Sequence, residues 1–347
     1  MKRTVLSLIL VVALVAAMTP ALAEQTRTFV DSADREVELP LDIIRIAPSG
    51  AMAQIMLFAL APDAFVGLAS AWSPEAEEFL GDYYTLPVLG QLYGSADLNL
   101  EELAAADPQV VIDIGEAKGS IVEDMDTLQE QIGVPAVHID ASTATFAEAY
   151  RTLGDLLGLQ ERAEVLATYC EETYARAEAI METVGEDRVN LVYCLGSDGL
   201  NVIAQGSYHA EIIDMVSNNL AVVDDPSSKG SGNPIDMEQL LLWDPEVIVF
   251  APESIYAEVA DDAVWKEFAA IANDSYVEVP FGPYNWMGFP PSVQRYLGLI
   301  WLCDTFYPEQ SGYDLYEEIA HYFDLFYHAE LTNEQFDRLM VNSRFEG

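Results

Sequence analysis

Residues 99–113, NLEELAAADPQVVID, return in altered form at 236–250 as DMEQLLLWDPEVIVF. Each copy runs from Leu or Met through Glu and a short helical stretch to Asp-Pro, one further residue and a β-branched run. Glu101 and Glu238 occupy matching places 137 positions apart. Proline disfavours a helical residue before it and has no N–H to donate, so Asp-Pro ends the helix. The runs QVVID and EVIVF do not alternate, as expected of parallel strands covered on both faces. One copy is an ordinary α/β element, whereas two copies predict two lobes of the same make.

The chain has 347 residues, enough for two domains of ordinary size. Residues 1–23 are expected to lie outside the fold. Lys2 and Arg3 are followed by an apolar run over 5–17 and by Ala21-Leu22-Ala23, the pattern of a cleaved secretory leader. That run is too short to span a bilayer as a helix. No cysteine follows it, which argues against a lipid anchor, so the expected product is exported and not inserted in the membrane. The formal charge of −43 falls to −45 with loss of the two leader cations. Such a chain is a poor partner for nucleic acid, which needs clustered Lys and Arg. Cys170, Cys194 and Cys303 form no CxxC or Cys/His cluster and are expected as buried free thiols.

From residue 28 onward a β-ribbon precedes strands at 43–47, 65–69, 109–113 and 136–140, alternating with helices at 51–60 and 122–132. This is the pattern of a parallel sheet with right-handed crossovers. The pattern then changes to helices at 146–157 and 160–184. The second carries a single apolar stripe and is long enough to join two lobes as a strut. Strand-loop-helix units resume at 189–195, 200–204, 246–250 and 276–279. Further helices are expected at 210–216, 265–271 and 293–306, with an aromatic helical tail over 313–340 packed on the second lobe. The expected division is 24–145, a connector at 146–184, and 185–347. The fold class is α/β, with two Rossmann-like lobes on parallel sheets joined by one long helix.

Open parallel sheets bind ligands beyond the carboxyl ends of their strands, so two lobes place their loops around a shared cleft. The residues that stand out there are Trp72, Tyr93 and Lys118 from the first lobe. Tyr208, His209, Lys229, Asn285, Trp286 and Arg295 come from the second. Trp72 and Trp286 sit among Pro, Gly and Ser rather than in periodic apolar runs, which points to a pocket rather than to core packing. Tyr93 and Tyr208 fit either place. His209 opens a helix, where a cap and a ligand or metal contact are both open. Beyond the leader, Lys118 and Lys229 are joined only by Lys266, and both fall in loops suited to an anionic group. Arg295 fits the same role, or an ion pair with one of many acids. No GxGxxG, Walker loop, HExxH or GxSxG is present, so enzyme signatures are missing.

These parts together resemble the periplasmic substrate-binding proteins of ABC importers for iron complexes, haem and cobalamin. The resemblance rests on TFVDSADREVELP with RIAPSG, on LPVLGQ with NLEELAAADPQVVI, on IGVPAVHID and on TLGDLLGLQERAEVL. The second half adds GSYHAEIIDM, PIDMEQLLLWDPEVIVF and PPSVQRYLGLIWL. It implies a monomeric, periplasmic, non-enzymatic receptor that has no cofactor of its own and closes little on binding. The ligand would be an iron chelate (siderophore), haem or corrinoid, with His209 or a tyrosine completing metal coordination. Glu101 and Glu238 would dock onto arginines of the permease dimer. MVSNNLAVVDD replaces the glycine pair and Asn of many relatives, and the acidic charge is unusual for a binder of anionic ferric siderophores. A close relative of this architecture binds oxyanions such as molybdate or tungstate, for which Lys118, Lys229 and Arg295 are the matching cations. A secreted two-lobe enzyme is the rival from another class.

Overall fold

The computed structural model describes residues 25–93 and 98–345. The expected leader at 1–23 and part of the loop at 90–97 lie outside the described residues.

A hairpin, β1 (Thr26–Val30) with β2 (Glu36–Pro40), flanks the first lobe. The lobe's sheet is parallel, β3 (Ile46–Pro48), β4 (Val110–Gly115) and β5 (Ala136–Asp140), in that spatial order. All six residues of β4 are buried, as its unbroken apolar pattern requires. Helix α1 (Ala51–Leu60) follows β3, and α2 (Leu100–Ala105) and α3 (Ile121–Ile132) flank β4. The strand expected at 65–69 shrinks to isolated parallel bridges, Ile46 to Phe65 and Leu68 to Val88. Its partner segment begins at Pro87, which accepts from Leu68 N but has no N–H to continue the ladder.

Two helices, α4 (Phe146–Leu157) and α5 (Gln160–Val184), link the lobes. Over its 25 residues α5 spans roughly 37 Å. Its stripe of Leu166, Tyr169, Cys170, Ala177, Ile180 and Met181 is buried.

In the second lobe β6 (Asn190–Leu195) pairs in parallel with β8 (Asn218–Asn219) and β10 (Val247–Phe250), and β10 with β11 (Tyr276–Glu278). The far edge is antiparallel: β7 (Asn201–Val202) returns beside β6, and β9 (Asn233–Pro234) beside β7. Helix α6 (Glu211–Val216) follows β7, α7 (Met237–Trp243) precedes β10, and α8 (Arg295–Phe306) is buried through most of its length. The helix expected at 265–271 is a 3₁₀ turn and a separate helical turn, because Phe268 between them is extended (φ −74°, ψ 131°).

The repeat is visible in three dimensions. Asn99 caps α2 by accepting from Glu102 N at 3.2 Å, and Asp236 caps α7 by accepting from Gln239 N at 2.8 Å. Both copies turn at their Asp-Pro with Asp107 and Asp244 left-handed, at φ 52° and 46°. Glu101 and Glu238 are exposed in the first turns.

The tail departs from expectation. It forms α9 (Leu315–Tyr322), a π-helical turn over Phe323–Tyr327 and α10 (Asn333–Leu339), and it does not stay on the second lobe. Phe323 packs edge-on against Phe79 at 4.9 Å, and His328 Nε2 lies 3.2 Å from Phe58 O. Arg338 pairs with Glu78 at 2.7 Å. Arg162 of α5 donates to Ala59 O and to Leu325 O, tying tail, strut and first lobe together. The aromatic side chains Phe323, Phe326 and Tyr327 thus complete a core begun by Phe58.

Cys170, Cys194 and Cys303 are free and buried, and burial pushes all three thiols up, Cys303 to about 12. No helix among the described residues is long and apolar enough to cross a membrane.

Candidate functional site

A cavity of about 280 Å³ opens between the lobes at the carboxyl ends of β3 and β4. Its first-lobe wall is Ser49 through Met52, Gln91, Tyr93 and residues 113–116 with Lys118. Tyr208, Pro290 and Pro291 close it from the second lobe. Gly115, at φ 145°, lies under Met52, whose sulfur would be 3.2 Å from any Cβ added there. A side chain at 115 would therefore fill the space beside the cavity floor.

The floor is built by strand register. Asp113 on β4 stands opposite His138 on β5, and Ser49 follows Pro48, which stands opposite Ile112. Ser49 Oγ donates to Asp113 Oδ1, and His138 Nδ1 lies 2.7 Å from Asp113 Oδ2. A carboxylate only accepts, so Nδ1 carries a proton, and Nε2 has no hydrogen-bond partner. Behind the histidine, Asp31 accepts from His138 N and pairs with Arg35 at 2.8 Å. Serine, aspartate and histidine meet here with aspartate in the middle. The hydroxyl does not reach the imidazole, so there is no activated nucleophile.

Both tyrosines at the cavity have their hydroxyls committed. Tyr93 OH donates to Asp124, which also accepts from Ser120 Oγ at 2.6 Å. Tyr208 OH donates to Ala141 O at 3.2 Å. Burial raises both phenols, Tyr208 to about 12 and Tyr93 further, with Asp124 adding to the second. Both tyrosines therefore present ring surface to the cavity with their hydroxyls bound to protein acceptors.

The sequence-predicted residues separate into groups. Tyr93, Lys118 and Tyr208 line the cavity, with Lys118 Nζ 3.2 Å from Glu116. Trp72 and Trp286 do not reach it. Trp72 is buried against Phe58 and Tyr284, at 5.1 and 5.9 Å, and donates to Tyr83 O. Trp286 is fully buried and donates to Gly282 O at 3.0 Å. Their Pro- and Gly-rich surroundings are turns that fold into the core. Asn285 is also structural: it donates to Tyr193 OH at 3.1 Å and accepts from Met287 N at 2.8 Å.

Arg295 is fully buried behind Tyr208. It pairs with Glu211, donates to Tyr208 O at 2.7 Å and to Thr143 Oγ1 at 3.1 Å, and lies 4.6 Å from the Tyr208 ring centre. Gly288 lets it fit, since a Cβ there would stand 2.7 Å from Arg295 Nε. His209 is buried, stacked on Phe289 at 5.2 Å, with Nδ1 unpartnered. Burial, with Arg295 nearby, lowers its imidazole to about 4, so it is neutral at pH 7. Lys229 is exposed in the loop whose Gly230 lies against Phe289 and His209, outside the cavity wall. No group of three or more His, Cys, Asp or Glu suited to a metal ion occurs among the described residues.

Ser49, Met52, Asp113, Glu116, Pro290 and Pro291 were not singled out by the sequence pattern. A charged residue within the buried run VVIDIG was the available signal for Asp113.

Comparison with known proteins places this geometry. The periplasmic binding protein family matches residues 73–281, more than half of the chain. An ABC transporter solute-binding protein from Sulfurospirillum deleyianum is 27% identical, with 91% of this chain and 99% of that one covered and a TM-score of 0.83. A periplasmic solute-binding protein from Veillonella parvula shares 22% identity over 92% and 98% of the two chains, with a TM-score of 0.75. The molybdate-binding protein MolA of Haemophilus influenzae, solved with molybdate, shares 19% over 88% and 99%, with a TM-score of 0.71. No curated protein matches the chain. The chain belongs to the periplasmic binding protein family and is a solute-binding protein of an ABC transporter.

Proposed function

We propose that this protein is exported and captures a compact metal chelate, an iron siderophore being the leading case, in the interlobe cavity. The observation that carries this reading is the wall of Tyr93, Tyr208, Met52, Pro290 and Pro291, which offers ring and apolar surface from both lobes. A flat or rounded chelate with an apolar exterior fits such a wall. The volume of about 280 Å³ stands at the lower end of ligand pockets, which favours a small chelate over haem or a corrinoid. Molybdate or tungstate fits less well, because Lys118 is paired with Glu116 and Arg295 is spent on Glu211. In this reading lobes 24–145 and 185–347 act around the connector 146–184, and Glu101 and Glu238 dock the loaded protein onto the permease.

The test is a thermal-shift screen against ferric siderophores, haemin, cobalamin, molybdate and tungstate. A ligand at 100 times its Kd adds about 2.7 kcal/mol of stability. A response to one or more siderophores is expected. A response to the oxyanions alone moves the assignment to an oxyanion carrier, and silence across the panel overturns it. Charge reversal at Glu101 and Glu238 is expected to abolish transport with ligand affinity unchanged.

A further inference from the structure

We infer that Asp113 sets the charge selectivity of the cleft, so that the ligand is a neutral or cationic complex that places hydrogen-bond donors on the cavity floor, and highly anionic complexes are rejected. This deepens the chelate assignment and rests on it.

The inference comes from following each charge at the cavity to its partner. Lys118 is the cation of the wall, and it lies 3.2 Å from Glu116, with both side chains about half exposed. Arg295 stands behind Tyr208 and is held by Glu211, Thr143 and the Tyr208 carbonyl, so its charge is already answered. Asp113 is different. Its partners are the Ser49 hydroxyl and the His138 Nδ1–H, and among the described residues no arginine or lysine pairs with it. Arg35 is held one step further back, by Asp31, Asp126 and the Ala136 carbonyl. The carboxylate is therefore fixed in orientation without an arginine or lysine to pair it, and it forms part of the cavity wall.

A carboxylate has about four acceptor sites, of which Ser49 and His138 take two. The remaining lone pairs are available to a donor in the cavity. The side chain is only 8% exposed, so such a contact is shielded from water and stronger than a surface one. An anionic ligand at the same place meets a carboxylate that no arginine or lysine pairs, at low dielectric, next to Glu116 and with Asp124 behind Tyr93. His138 acts through Asp113 as a positioning residue: its proton on Nδ1 keeps Asp113 Oδ2 an acceptor. Tyr93 and Tyr208 have their hydroxyls bound to Asp124 and to Ala141 O.

The experiment measures Kd by tryptophan quenching and calorimetry for a neutral ferric trihydroxamate and a trianionic ferric tricatecholate. Wild type is expected to bind the trihydroxamate more tightly. Loss of a hydrogen bond to a charged group is worth about 10- to 100-fold, so Asp113→Asn is expected to weaken the trihydroxamate by about that factor and to improve the tricatecholate. The Asn variant keeps an acceptor for Ser49, and a switch of the His138 tautomer lets the ring accept from the new amide. Glu116→Gln, outside the buried network, is expected to act in the same direction with a smaller ratio, which keeps the test valid if the first variant unfolds. Preference of the wild type for the tricatecholate, or an unchanged ratio in both variants, overturns the inference and leaves the chelate assignment standing. Binding of neither complex, with none of the screened chelates active, overturns both.

Discussion

Replacement of Glu211 by alanine is expected to destabilise the protein by about 4 kcal/mol. Glu211 Oε2 accepts from Arg295 Nη1, from Thr143 Oγ1 at 2.6 Å and from Thr143 N at 3.2 Å. Thr143 follows the last strand of the first lobe and Arg295 opens a helix of the second, so this one oxygen joins the lobes. Removing a partner from a buried ion pair costs about 3–5 kcal/mol, because the remaining charge cannot be rehydrated. Arg295 is fully buried and keeps only Tyr208 O and Thr143 Oγ1. The Glu211 side chain is 29% exposed, so water can enter the vacated space, and the lower end, about 3 kcal/mol, applies. The stranded Thr143 N–H and hydroxyl add about 1 kcal/mol. Urea denaturation at pH 7, followed by tryptophan fluorescence, reads the loss as a lower midpoint at unchanged slope. Arg295→Met should cost less, about 2 kcal/mol, since the surviving carboxylate can be hydrated. The double variant should recover at least about 1 kcal/mol relative to the sum of the single effects. Strict additivity, or a Glu211→Ala variant within about 1 kcal/mol of wild type, would refute the argument that this pair is what holds Arg295 in place.

Trp72→Ala is expected to cost about 3–5 kcal/mol in denaturation midpoints by leaving a void against Phe58 and Tyr284, with ligand Kd altered less than threefold; a large affinity loss at full stability would put the indole back in the cleft. Tyr208→Phe should keep ligand affinity and lose about 1 kcal/mol of stability with the bond to Ala141 O, whereas Tyr208→Ala should lose affinity by tenfold or more. His209 has its imidazole lowered from 6.5 to about 4, so the unfolded chain binds more protons between those values. Its contribution is complete above pH 6.5 and is lost as pH falls toward 4. Denaturation midpoints at pH 7 and pH 5 should therefore differ less in His209→Asn than in wild type, and equal pH dependence would contradict a buried neutral ring.

The architecture was legible because its signals are local and repeated. Asp-Pro after a short helix, twice, announced two lobes, and a single apolar stripe from Leu166 to Val184 announced the strut with its ends in place. Periodicity failed where the chain leaves regular structure. Nothing in FDLFY distinguishes an aromatic run covering the second lobe from one inserted beside Phe58 and Phe79, since that choice depends on contacts more than 240 residues apart. The site was half legible. Tyr93, Lys118 and Tyr208 are residues whose loops must face the cleft if strands end there. Trp72, Trp286 and Arg295 mislead because unusual composition marks both pockets and tightly packed turns. Asp113 and His138 become partners only through strand register, and register is set by whole sheets rather than by any short stretch.

The tail's passage to the first lobe gives the chain a temporal asymmetry. A ribosome releases residues 25–93 long before 315–339, so the aromatic face of Phe58 and Phe79 waits uncovered until the last segment is made. The amino-terminal lobe cannot mature as an independent unit during synthesis, in contrast to the usual order in which domains complete one after another. Until Phe323 and Phe326 arrive, the chain retains an open apolar surface that holding factors can recognise. Its completion is then a single late event in which both lobes and the strut lock together.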